Sequence, residues 1–255
     1  MPPGLRVYWQ PGCTSCLRAK EFLSAHGIGF ESINVHERPE AACELVALGV
    51  RTVPVIARGA DFVLGQDIDE LARFVGVTEQ RQRLSPDELA DRLQALLAAA
   101  GDLLAALPQA RLATRLPQRE RSWLDLGFHV AMIVHGLLEA AHGGALTYEH
   151  YERRAPAVWV DAPPALEFLR ATSARLDAWW RAARGQPAAM LATYFGPQTT
   201  HALLERTAWH VAQHCRQLEY LAVEVARVPD APRLAAGMLD GVPVPQAVWD
   251  REIRP

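Results

Sequence analysis

Through its first 76 residues this chain switches repeatedly between strand-like and helix-like patterning, and beyond residue 85 it does not switch again. A change of that kind excludes one uniform fold. Residues 5–9, Leu-Arg-Val-Tyr-Trp, form a β-prone run that breaks at the turn signal Gln10-Pro11-Gly12. From Thr14 the apolar positions Leu17, Phe22 and Leu23, with Ala19 and Ala25, take helical spacing as far as Gly27. Residues 30–35 alternate as a second strand, and residues 39–48 read as a helix with Pro39 near its start and Gly49 after it. Residues 53–56 and 61–64 pair as a hairpin around Arg58-Gly59-Ala60, and residues 67–75 close the unit as a helix. The order β-α-β-α-β-β-α predicts a compact α/β domain over 1–76.

Residues 77–84 are polar and read as a linker. Ser85-Pro86-Asp87-Glu88 then carries every helix-start signal: a serine cap, proline in the first turn, early acidic residues and Glu88 at the capping-box position. Helical patterns follow over about 86–107, 119–142, 165–184 and 199–227, with no convincing strand among them and a loop over 147–164. Four long helices predict a four-helix bundle with one long connection over 85–227. The proline-rich tail, 228–255, is expected to dock along a bundle surface. A length of 255 residues suits two domains.

Composition excludes several classes of function. Net charge is −3, which gives no basic footprint for nucleic acid. No apolar run reaches the roughly 18 residues of a membrane span, and the first residues lack the build of a signal peptide. A cytoplasmic protein with no membrane partner is expected, and a homodimer is allowed for.

Four cysteines, Cys13, Cys16, Cys43 and Cys215, are too few for a disulfide scaffold. Cys13-Thr14-Ser15-Cys16 falls between a strand and a helix, so Cys13 sits at a helix N-terminus. Unpaired amides and the helix dipole there favour the reactive thiolate. Cys16, one turn inside, is placed to resolve a mixed disulfide. Zinc would want a second pair at similar spacing, and Cys43, His26 and His36 do not supply one. Redox chemistry is the better reading.

At these residues the chain resembles glutaredoxins. The stretch from Tyr8 to Cys16 is similar to that family's active-site strand and turn. Thr52-Val53-Pro54 looks like its cis-proline segment, and Gly65-Gln66-Asp67 like its glutathione-holding turn. The resemblance covers about residues 4–76. It implies a thioredoxin-type fold, Cys13 as nucleophile and Cys16 as resolving thiol. Thr52, Val53, Pro54, Gly65, Gln66 and Asp67 would then hold glutathione or a similar low-molecular-weight thiol, with Val53 pairing backbone-to-backbone with it.

His210-Val211-Ala212-Gln213-His214 sets two imidazoles at i and i+4, one turn apart on a helix face. That spacing suits a divalent transition metal, zinc or nickel first among the candidates. A third ligand would come from another helix, where His129 shares an apolar face with Leu126, Met132 and Ile133. Taken alone, His129 reads more readily as a satisfied core residue than as a ligand. The remaining histidines, His135, His142, His150 and His201, read as surface or loop residues. Tyr194-Phe195-Gly196-Pro197-Gln198 either walls the pocket or makes a rigid turn.

Taken together, these motifs make residues 85–227 resemble the DinB-like metal-binding bundles. The carriers are Asp125-Leu126-Gly127-Phe128-His129 and His210-x-x-x-His214 followed by Gln217-Leu218. The resemblance implies a three-histidine metal site of His129, His210 and His214 that keeps positions open for water or substrate. Some DinB-like proteins are thiol-dependent transferases or isomerases. The leading expectation is therefore an enzyme. Its bundle would carry out metal- and glutathione-linked transfer or isomerisation on an unidentified electrophile or disulfide, coupled to thiol–disulfide exchange at Cys13 and Cys16. A plain disulfide oxidoreductase whose bundle recognises partners, or a non-catalytic metal or redox sensor, are the alternatives.

Overall fold

Strand β1 (Arg6–Trp9) lies inside a four-stranded sheet of order β2-β1-β3-β4, with β2 at Glu31–Asn34, β3 at Val55–Arg58 and β4 at Asp61–Leu64. It runs parallel to β2, with Tyr8 opposite Ile33, and antiparallel to β3, with Val7 opposite Ile56. Helix α1 (Thr14–Ala25) joins β1 to β2, α2 (Pro39–Ala47) joins β2 to β3, and α3 (Ile68–Val75) follows β4. The two-residue period of the strands separates two cores. Val7 and Ile56 face Phe22 and Leu23 of α1 and Leu71 of α3, whereas Tyr8, Val55 and Ala57 face Cys16, Ile33 and Leu45. Leu23, Ile33 and Ile56 are wholly buried, each contributing roughly 1.5–3 kcal/mol. This is a thioredoxin-type arrangement.

The computed structural model describes residues 4–78, 82–116, 119–183 and 189–250. Residues 79–81 of the expected linker, 184 at the expected helix end and 251–255 of the tail lie outside the described residues. The chain divides into two units, 1–81 together with 245–254, and 82–244.

The second unit is built on four long helices: α4 (Pro86–Ala106), α5 (Trp123–Ala141), α7 (Pro163–Ala183) and α8 (Thr200–Tyr220). A short helix, α6 (Glu149–Glu152), lies between α5 and α7. Helices α4 and α5 each pack chiefly on α7 and α8, so they occupy opposite corners of the bundle. The expected capping box is present: Ser85 Oγ accepts from Glu88 N, while the Glu88 carboxylate accepts from Ser85 N at 2.7 Å. Gly127 lets α5 approach α4, since a Cβ there would lie 2.6 Å from Leu104 Cδ2. Helix α5 has the length and apolar composition of a membrane span, contrary to the reading of the sequence. It is nevertheless the core helix of the bundle, with 83% of that apolar window buried.

Several expectations are corrected. Helix α5 begins at Trp123 and not at 119, because Ser122 and Asp125 form a second capping box and Arg115 pairs with Ser122 just before it. Strands do occur after residue 85: β5 (Ala145–Leu146) pairs with β6 (Met190–Thr193), which pairs with β7 (Gln198–Thr199). At two residues each, β5 and β7 are too short to carry an alternation signal, and β6 is four. His150, read as a surface or loop residue, is 9% exposed on α6, with Nδ1 2.9 Å from Thr147 Oγ1. His135 and His201 are half-buried, and His142 is exposed. Of the described tail residues, 228–244 fall in the second unit and 245–250 in the first, so the expected docking of the whole tail along the bundle is corrected. Arg92 of α4 donates to Gly237 O at 2.5 Å, whereas Glu21 of α1 accepts from Gln246 N at 2.6 Å and Ala247 N at 2.9 Å.

Candidate functional sites

Cys13 caps α1 with extended backbone angles (φ −79°, ψ 107°), and its sulfur accepts from Cys16 N at 3.2 Å. The cap position follows from the turn before it, in which Cys13 N donates to Gln10 O. Cys13 and Cys16 are joined as a disulfide. Their surroundings differ. Cys13 is half-buried at the end of the helix, while Cys16 is 0% exposed within the core cluster that also holds Trp9 and Val53. The other cysteines are not arranged this way. Cys43 is an exposed residue of α2, and Cys215 is buried in α8, where its thiol donates to Leu96 O and burial pushes its pKa up.

The other sequence-predicted residues of this unit lie in two adjoining loops. The Val53–Pro54 peptide is cis, Thr52 is half-buried, and Val53 is 6% exposed. Gln66, 3% exposed, donates from Nε2 to Val53 O at 3.0 Å, and Gly65 N donates to Pro54 O at 3.0 Å. The two segments therefore hold one another. A side chain at Gly65 would collide with Ile56 Cδ1 at 2.7 Å and Pro54 Cγ at 2.9 Å, so only glycine permits this approach. Asp67 caps α3, accepting from Asp69 N at 2.9 Å and Glu70 N at 3.2 Å. The backbone carbonyl of Val53 and one carboxylate oxygen of Asp67 are thus already engaged within the protein.

In the second unit, α5 contributes His129 while α8 contributes His210 and His214. One nitrogen from each imidazole lies within 4.8 Å of the others. All three rings are buried, at 2%, 6% and 2% exposure. Nδ1 of His129, Nδ1 of His210 and Nε2 of His214 have no hydrogen-bond partner, which is costly for buried polar atoms. His214 Nδ1 donates to Gln217 Oε1 at 2.7 Å. Burial lowers all three pKa values. Arg121 acts in the same direction on each, His214 and Arg206 on His210, and the neighbouring histidines on His129. His214 falls to about 3. Neutral imidazoles with orphaned nitrogens are the state that metal ligation requires, so this donor set fits a divalent ion.

Around the histidines lies a group that sequence reasoning missed. Arg206 is one turn before His210 on α8 and is 5% exposed. Its Nη1 donates to Tyr151 Oη at 2.7 Å and its Nη2 to Tyr194 Oη at 3.3 Å. The Tyr151 ring centroid lies 5.2 Å from that of His210 and 5.9 Å from that of His129. Arg121 donates to the backbone carbonyl of the same Tyr151 at 2.7 Å, and burial together with Arg119 lowers its pKa to about 9. In the Tyr194 segment, the Tyr194 hydroxyl accepts from Arg206 and its ring meets that of Tyr151, while Gly196 N donates to Thr193 O in a tight turn. The signal for Arg206 was legible, because it extends the four-residue spacing of His210 and His214 by one step.

Residues 5–63 match the family model described as Glutaredoxin. The chain is 36% identical over 68 residues to the glutaredoxin-like protein NrdH of Lactococcus lactis subsp. lactis, covering 27% of this chain and 94% of that protein. It is 38% identical over 55 residues to the glutaredoxin-like protein NrdH of Escherichia coli K12, covering 22% of this chain and 68% of the relative. With the glutaredoxin of Pseudomonas aeruginosa it shares 38% identity over 68 residues, which are 26% of this chain and 80% of that protein. The matched residues 5–63 include the Cys13–Cys16 pair and the cis-proline segment. Through this N-terminal unit, the chain belongs to the glutaredoxin family.

Proposed function

We propose that the chain is a two-part thiol enzyme, in which a dithiol oxidoreductase is joined to a metal-dependent, thiol-linked transferase or isomerase. The observation that carries the first part is the Cys13–Cys16 pair, with one sulfur at the helix N-terminus and the other in the core beside Val53. In the reduced enzyme, the Cys13 thiolate attacks one sulfur of a substrate disulfide. A mixed disulfide forms and the other substrate sulfur leaves as a thiolate. The Cys16 thiolate then attacks Cys13 Sγ, releasing the second substrate thiolate and leaving Cys13 and Cys16 oxidised by two electrons. Two equivalents of glutathione or a similar low-molecular-weight thiol restore the dithiol. The mutually bonded loops at Thr52-Val53-Pro54 and Gly65-Gln66-Asp67 are proposed to hold that thiol, with Val53 N–H as the backbone group left for it.

The second part rests on the three convergent imidazoles and their orphaned nitrogens. His129, His210 and His214 would hold a divalent ion of the zinc or nickel type, in a DinB-like bundle. When bound, such an ion supplies positive charge that stabilises an anionic sulfur or polarises a substrate carbonyl. The protein's own groups set the conditions for that chemistry. Gln217 fixes the ring of His214, burial keeps the imidazoles neutral, and Tyr151 covers two of the three rings.

Disulfide-reduction assays on the full chain test the first part. Cys13→Ser abolishes turnover, while Cys16→Ser accumulates a mixed disulfide visible by mass spectrometry. Unchanged turnover in Cys13→Ser removes the proposal. If the bundle binds no metal, the alternative is a plain disulfide oxidoreductase whose bundle recognises partners.

A further inference from the structure

Arg206 carries a full charge in the interior of the second unit, and among the described residues no carboxylate is paired with it. Its hydrogen-bond partners are the two phenols, Tyr151 and Tyr194, and its Nε is buried without any partner. The guanidinium carbon also stands 5.3 Å from the Tyr151 ring, 4.8 Å from that of Phe195 and 5.9 Å from that of Trp209. Aromatic faces temper a cation but do not neutralise it. Two acidic side chains on the same helices, Glu205 and Asp125, are engaged by other groups. Glu205 accepts both ends of the Arg83 fork, at 3.2 and 2.7 Å. Asp125 accepts from Ser122 N, Ser122 Oγ and Ala155 N.

The positive charge is concentrated on one side of the histidines. Tyr151 is held at both ends by arginines, its hydroxyl by Arg206 and its carbonyl by Arg121. Arg119 adds to the same field, since it acts on all three histidines. Leaving a buried ion uncompensated costs several kcal/mol, and a divalent ion on three neutral ligands would add to the excess. An arrangement of this kind is stable in use only if the ligand brings the negative charge. A guanidinium offers five N–H donors in a planar fork that matches a carboxylate, and the two phenols take two of them.

We infer that Arg206 anchors the carboxylate of a small organic acid beside the three histidines, so that the substrate of the bundle is a carboxylate-bearing molecule. The inference rests on the proposed reading of the bundle as a metal centre and adds the class of substrate to it. Arg206 fixes one end of that molecule through its free N–H groups. The i, i+4 spacing to His210 sets the other end against the imidazoles, about one helical turn away.

The test uses the full chain, loaded with zinc or stripped by chelator, with succinate as the probe and succinamide as its uncharged counterpart. Binding is followed by calorimetry and by the shift in Tm, and metal content is measured on the same samples. Succinate is expected to bind and raise the Tm of the zinc-loaded protein, and succinamide is expected to do neither. Arg206→Gln should bind zinc as the wild type does, melt no lower than wild type without ligand, and weaken succinate binding about tenfold or more. Arg206→Lys, which keeps the charge but loses the fork, should fall between them. Zinc-loaded protein that ignores succinate, or Arg206→Gln that responds as the wild type does, overturns the inference and leaves the metal reading standing. Protein that takes up no zinc yet binds succinate through Arg206 removes the metal reading and keeps the carboxylate anchor.

Discussion

His214 gives its Nδ1 proton to Gln217 Oε1 across 2.7 Å, which leaves Nε2 as the ring's lone-pair nitrogen, buried and without a partner. The two residues are three apart on α8, so the bond is local and fixes the ring without help from other elements. Outer-shell bonds of this kind set the tautomer and orientation of a ligating histidine. Gln217→Ala is therefore expected to weaken metal binding by about 10- to 100-fold while leaving the helical circular-dichroism signal unchanged. Competition against a chelator of known affinity measures it, and an affinity equal to wild type would show that Gln217 does not act on the ligand.

Acid should destabilise the metal-free bundle. The three imidazoles are held below their ordinary pKa in the folded chain, foremost by burial and then by Arg121 and neighbouring groups, with His214 at about 3. In the unfolded chain each protonates near 6.5. Between those values the unfolded state binds more protons, so folding stability is present above about 6.5 and falls as pH drops towards 3. His214 alone would cost on the order of 5 kcal/mol over that span. Urea melts of chelator-treated protein at pH 7.5, 6.0 and 5.0 follow the loss, and His214→Gln should flatten the slope. A stability independent of pH across this range contradicts the burial of neutral rings.

After reduction, Cys13 should alkylate first. It caps α1 and is half-buried, whereas Cys16 and Cys215 are 0% exposed. Iodoacetamide at mildly acidic pH, followed by peptide mapping, should label Cys13 ahead of Cys43 despite the greater exposure of Cys43, because the helix terminus favours the thiolate. Equal labelling of the two would mean that the helix terminus does not activate Cys13.

Gly65→Ala places a methyl group 2.7 Å from Ile56 and 2.9 Å from Pro54. Such crowding typically costs about 1–3 kcal/mol, and here it also pushes the Gly65-Gln66-Asp67 turn away from the cis-proline segment. Thermal melts should show the lower stability, and disulfide reduction should slow. A variant with wild-type Tm would show that the two loops give way easily.

The parts of this molecule that were legible in the sequence share one property: they are written in local spacing. The strand–turn–helix around Cys13, the Ser85–Glu88 capping box and the His210–His214 pair all depend on residues within a few positions of each other. His129 was legible as a third member only through family resemblance, since its approach to α8 is a matter of packing. What escaped has physical reasons. Ser122-Trp123-Leu124-Asp125 is a capping box with aspartate in place of the usual glutamate, so the helix seemed to begin earlier. Tyr151 reaches the histidines from a long connection whose path is held by two-residue pairing between β5 and β6, too short to register as a strand. His150 is buried because α6 folds that same connection inward. Arg206 was visible in its spacing, yet a lone arginine on a mixed helix face does not announce that both its tyrosines come from elsewhere in the chain.

Metal content tests the joining of two chemistries in one chain most directly. Elemental analysis of the purified full-length protein, alongside the His210→Ala, His214→Ala double variant, is the measurement. The account predicts about one divalent transition-metal ion per chain in the wild type and none in the variant, with the disulfide-reducing activity of Cys13 and Cys16 retained in both. Metal-free wild-type protein that cannot be loaded with zinc or nickel, or a double variant that holds as much metal as the wild type, would contradict it.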